Sequence, residues 1–133
     1  MVVGFLNHLN NLGEVSVYMR ALEQILEEFI EACLKEEDSL KRGDSKTGNK
    51  QYRIIKDIRH DLKSNPNYGI EKLIPFLEHS SMNVRLHAAF CLIPVLPEQA
   101  KNVLMVVAEG RGIVAFNAQM TLSEWKKGNL KFD

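Results

Sequence analysis

The segment Leu73–Leu96 leaves the chain few ways to fold. Leu73, Ile74, Phe76 and Leu77 supply one apolar face, His79-Ser80-Ser81 interrupts it, and Val84, Leu86, Ala88, Ala89, Cys91, Leu92 and Val95 supply a second. Apolar residues at steps of three and four fit helices rather than strands. The segment therefore reads as two short helices joined by a tight turn. Ser80, Ser81 or Asn83 can cap the second, because a short side-chain oxygen accepts from the free N–H groups of a helix start. Ala88-Ala89 offers a smooth patch where another helix can approach. Neither helix is long enough to hide its own face, so the segment calls for neighbours of the same kind.

The rest of the chain supplies them. From 16 to about 41, Leu22, Ile25, Leu26, Phe29, Cys33 and Leu40 form one stripe, widened by Ile30 and Leu34, with Ser16 as a cap. Glu23, Glu27, Glu28, Glu31 and Lys35 fill the opposite side. Residues 1–15 carry helix-like spacing weakened by glycine and asparagine, which predicts a short helix or an ordered arm. Gly, Ser and Asn make Arg42–Asn49 a loop, and its Arg-Gly-Asp triplet has no secretory context. A second helix spans 49–64, with Tyr52, Ile55, Ile58 and Leu62 inward and Lys50, Arg53, Lys56, Arg59 and Lys63 outward. Pro75 lies inside the third helix, about 68–78, and should kink or restart it. The fourth covers about 83–96, with Pro94 near its end. Pro97 opens a fifth, to Glu109, where its missing N–H costs nothing. A sixth runs from Val114 or Ala118 to Lys127, carrying Met120, Leu122 and Trp125. Leu130 and Phe132 in the tail are candidates to dock. No stretch has the period or the turn signals of a strand.

With 133 residues the chain is one domain by length, large enough to bury a core without staples. Its formal net charge is zero, so no whole-molecule field selects a polyanion or an anionic membrane. The opening segment has neither a basic start nor an unbroken apolar run, so it does not read as a secretory signal, and no run approaches a membrane span. Cys33 and Cys91 both fall on apolar stripes and read as reduced core thiols. The expectation is a cytoplasmic protein.

No catalytic set, cofactor site or metal site emerges. His8, His60, His79 and His87 have no pair at the spacing of a helical metal site; they read as turn and surface residues. Ser80 and Ser81 follow His79 but lack the glycine-rich elbow of a nucleophile, and Gly110-Arg-Gly112 is too short to cradle a phosphate. Charge patterning says more. Glu14–Asp44 holds nine acids and four bases, and Lys46–Lys72 seven bases and three acids. Two solvated, mutually neutralising faces would explain this polarity; so would an exposed acidic face, with Glu23, Glu27 and Glu31 in line, meeting a basic partner.

At Asn83-Val84-Arg85 followed by Ala88-Ala89, with Pro75 in the preceding helix, the sequence resembles a HEAT repeat, with Asn83 where Asp is commoner. The resemblance implies that Arg85 bonds neighbouring turns and that these five residues are structural. Leu73–His79, Asn83–Ala89, Pro97–Ala100 and Met120–Leu122 resemble, more closely, a small bacterial family of HEAT-like helical domains catalogued as a domain of unknown function, number twenty-nineteen. The resemblance covers roughly 20–128. It implies an all-α, HEAT-like α–α superhelix of five to six helices over 16–133, and no agreed activity.

Three functions compete. The first is a non-enzymatic protein-binding module, more narrowly a bacterial immunity protein, antitoxin-like, that meets a basic toxin through Glu23, Glu27 and Glu31. Its basis is a small helical chain with no catalytic set, an argument by analogy. The alternative is nucleic-acid binding through Lys50, Arg53, Lys56, Arg59 and Lys63, ranked lower because aromatic stacking residues are sparse. An enzyme is third, and would need a pocket gathering Arg85, His87 and an acid.

Overall fold

The structure, a computed structural model, describes the backbone of residues 7–132 and the side chains of residues 21–132. Five α-helices and one 3₁₀ segment follow in order: α1 (Asn7–Lys41), α2 (Ser45–Ser64), the 3₁₀ segment (Ile70–Glu78), α3 (Met82–Leu92), α4 (Pro97–Ala108) and α5 (Ile113–Lys126). The described residues contain no strand. Successive elements pack on one another: α1 with α2, the 3₁₀ segment with α3, α3 with α4, and α4 with α5. Helix α3 also touches α1, α4 and α5, so it is the hub of the domain.

Helix α1 begins earlier than the sequence suggests. Ser16 is not a cap, because the backbone is helical from Asn7 and passes through Gly13 without a break. A single glycine costs a helix only about 1 kcal/mol, too little to stop so long a run. The expectation of an arm or short helix over residues 1–15 falls partly on residues 1–6, outside those described. The loop Arg42–Asn49 is also shorter than expected. Asp44 caps α2 by accepting the Thr47 N–H at 3.1 Å, so the helix starts at Ser45. That bond, and the bond from the Thr47 hydroxyl side, hold the Asp44 carboxyl below its ordinary pKa. The cap is therefore present above the ordinary aspartate range and lost as pH falls through the lowered value. Asp44→Ala should lower the thermal midpoint by roughly 3 °C at neutral pH, read by circular dichroism, and by less in acid.

Pro75 converts the expected third α-helix into a 3₁₀ segment. Its ring removes an N–H and crowds the carbonyl four residues back, which a tighter winding avoids. Gly69 turns the chain into this segment at φ +144°, a region that favours glycine. Ser81, one of the three expected caps, caps α3 by accepting the Val84 N–H at 3.2 Å. Arg85 holds the turn before it, donating Nη1 to the carbonyls of His79 at 2.6 Å and Ser80 at 3.2 Å. Ala88 and Ala89 are fully buried, as close helix approach requires. Pro97 stands at the first position of α4.

The core runs through all the helices: Phe29 and Cys33 of α1, Ile55 and Leu62 of α2, Leu73, Val84, Leu92, Leu104 and Ala118. Phe29 stacks on Phe76 with centroids 5.9 Å apart. The tail docks as expected. Phe132 lies against Phe90 at 5.0 Å, and Lys63 donates to the Phe132 carbonyl at 2.8 Å. Both cysteines are buried, and burial pushes the Cys91 thiol up to about 12 despite the nearby Arg59 guanidinium. No helix among the described residues is long and apolar enough to cross a membrane.

Candidate functional site

Two places carry chemistry. The first is the outer side of α1. Glu23, Glu27 and Glu31 are all exposed and succeed one another at four-residue steps, which keeps them in one row. Glu31 accepts from Lys35 at 2.9 Å, and Asp38 from Arg42 at 2.9 Å; both are exposed pairs that contribute little to stability. Beside the row lies an open groove of about 700 Å³, bordered by Glu27, Glu31 and Asp38 and floored by Ile30 and Leu34. Leu34 is 45% exposed, so this stretch of the predicted inward stripe is only partly covered.

The expected basic row on α2 is broken. Lys50, Arg53, Lys56 and Lys63 are exposed, but Arg59 is 4% exposed. The reason is register: Arg59 follows the buried Ile55 by four residues and precedes the buried Leu62 by three, so it falls on the inner stripe. Its guanidinium carbon sits 5.1 Å from the centroid of Phe90. Tyr52 departs in the opposite sense. It was expected inward and is 44% exposed, with its ring 6.4 Å from that of His87.

The second place was not foreseen. His87 is not a surface histidine: it is buried because it lies three residues after Val84 and four before Cys91 on the inward face of α3. Its Nε2 meets Glu36 Oε1 at 2.6 Å. Asn83, fully buried, donates Nδ2 to the same oxygen at 2.9 Å and to the Cys33 carbonyl at 2.7 Å. Asn83 is thus no cap; it stitches α3 to α1. Burial alone would raise the Glu36 pKa, but the hydrogen bond and charge of His87, with the Asn83 bond, outweigh it and hold the carboxyl below its ordinary value. Glu36 is therefore ionised at neutral pH.

This pair forms the floor of a cleft of about 290 Å³ where α1, α2, α3 and α5 meet. Arg59, Leu86 and Phe90 line its depth, Asn117 and Thr121 form the α5 wall, and Tyr52 and Met120 stand at the mouth. Arg85 is not among the lining residues; it is occupied in its turn. The signal for Glu36 was in the sequence: it follows Phe29 by seven residues and Cys33 by three, so it interrupts an apolar stripe with an acid. No group of three or more His, Cys, Asp or Glu among the described residues is arranged to hold a metal ion.

Among curated proteins none matches the chain. The crystal structure of the protein RPA1889 from Rhodopseudomonas palustris CGA009 is similar to it with a TM-score of 0.75 and 23% identity, over 82% of this chain and 91% of that one. At that identity the likeness is one of fold. The sequence profile of the family described as Domain of unknown function (DUF2019) matches residues 23–125, and the chain belongs to that family.

Proposed function

We propose that the chain is a cytoplasmic, HEAT-like, non-enzymatic protein-binding module that engages a basic partner along α1, and more narrowly that it is a bacterial immunity protein whose partner is a toxin. One observation carries the reading: of three exposed glutamates in a row, Glu27 and Glu31 border, with Asp38, Lys35 and Arg42, a groove whose floor, Ile30 and Leu34, is apolar and accessible. An acidic margin speeds encounter with a basic surface, and an apolar floor gives the docked complex something to bury. The test is co-expression and pull-down with the product of the neighbouring gene. Reversing Glu23, Glu27 and Glu31 to Lys should then slow association by roughly tenfold or more at low salt and flatten its salt dependence, measured by stopped flow. Absence of binding to any neighbour-encoded toxin ends the narrow version. Nucleic-acid binding along α2 is the weaker reading, because Arg59 is buried and Lys63 is engaged with the tail, which leaves Lys50, Arg53 and Lys56.

A further inference from the structure

The groove on the outer side of α1 has the shape of a seam. Its α1 lining recurs at steps of three and four residues from Glu27 to Arg42, which is one face of a helix over about 22 Å. Ile30 and Leu34 form its floor, and Leu34 is half-exposed although it lies on an apolar stripe. Charge is uneven along that length. Toward the C-terminal end of α1, Glu31 is paired with Lys35 and Asp38 with Arg42, each pair within the helix itself. Toward the N-terminal end, Glu23 and Glu27 are exposed and make no ion pair among the described residues.

These features select among the ways a protein holds a segment of another. The described residues contain no strand, so an extended segment finds no sheet edge to join. No aromatic residue lines the groove, which a proline-rich segment needs. Its two bases are each neutralised by an acid of α1, so it offers no basic cluster for a phosphorylated segment. A helix remains, because ridges at steps of three and four fit such a seam. We propose that the α1 groove takes one amphipathic α-helix of the basic partner, running antiparallel to α1, with apolar residues at i, i+4 and i+7 over Ile30 and Leu34 and with Lys or Arg in its last two turns. The direction follows from charge. Cations are favoured at the C-terminal end of a helix, and an antiparallel helix brings that end to Glu23 and Glu27. Such docking presupposes that this face is a protein interface, as proposed for the function, and fixes the form and direction of the partner there.

The test is fluorescence anisotropy of labelled synthetic peptides of about fifteen residues, titrated with the full chain. The first has leucine at i, i+4, i+7 and i+11, arginine only in its last two turns, and alanine and glutamine elsewhere. The second moves the arginines to the first two turns, the third places proline at the centre, and the fourth replaces leucine by glutamine. The first should bind, the second roughly tenfold more weakly, and the third and fourth not measurably. Leu34→Gln, at an exposed position, should weaken the first by roughly tenfold or more with folding intact. Glu23→Lys combined with Glu27→Lys should do the same and remove the preference for the first over the second. Equal binding of the helical and proline peptides, lost on charge reversal, overturns the helix and leaves the basic partner standing. Binding that charge reversal leaves unchanged overturns both. The helix is also overturned by no binding of the first peptide, by equal binding of the first and second, or by a dimer of the chain alone, seen in sedimentation, that Leu34→Gln dissolves, since a second copy would then fill the groove.

Discussion

Asn83→Asp is expected to destabilise the domain by about 3–5 kcal/mol at neutral pH, the magnitude seen when a buried charge lacks a partner. The side chain is fully buried and its Nδ2 faces two acceptors, the Cys33 carbonyl at 2.7 Å and Glu36 Oε1 at 2.9 Å. Aspartate puts an oxygen where that donor was, against two other oxygens, one of them charged. The amide oxygen, Oδ1, has no hydrogen-bond partner among the described residues, so its surroundings offer no donor to stabilise the new charge. The introduced carboxyl therefore has its pKa raised in the folded state. Its penalty is full above that raised value and shrinks as pH falls through it, because the protonated acid can again donate. Urea midpoints at pH 7 and pH 5 check this: the deficit of the variant should be smaller at pH 5. Asn83→Ala, which removes the donor without adding charge, should cost less, about 2 kcal/mol. A variant as stable as the parent at pH 7 would falsify the role given to Asn83.

The same contact accounts for the amide at residue 83. Asn, not an acid, stands there. The reason is Glu36: an acid at residue 36 of α1 forbids an acid at residue 83 of α3. Such a long-range pairing is invisible to helical periodicity, which reports what faces inward and not what it faces. The apolar stripes of α1 and α3, the Ser81 cap and Pro97 at the first position of α4 were legible because each rests on residues within a few positions of one another. The beginning of α2 was misread because glycine and serine outweighed the Asp44 cap. Arg59 and His87 were misread because charge was taken as a sign of exposure, although both stand at inward registers. The cleft draws its lining from four helices, so no local signal marks it.

Glu36→Ala should cost about 3 kcal/mol at pH 7, since it strips Asn83 and His87 of their common acceptor in a buried setting. The direction of its pH dependence follows from the lowered pKa of the Glu36 carboxyl. A carboxyl held below its unfolded value contributes stability that is fully present above that unfolded value and disappears as pH falls through the lower, folded one. The difference between parent and variant should therefore hold from neutral pH down to the ordinary glutamate range and then close in stronger acid. Glu36→Gln keeps the shape and an acceptor oxygen, so it should lose less, about 1 kcal/mol. Pairing Glu36→Ala with His87→Ala gives the coupling directly: side chains in one hydrogen-bonded network interact by roughly 1 kcal/mol or more, so the double variant should be more stable than the sum of the two losses predicts. Additive losses, or a parent-to-variant difference that does not change between pH 7 and pH 3, would mean that Glu36 is filling space rather than holding α1 to α3.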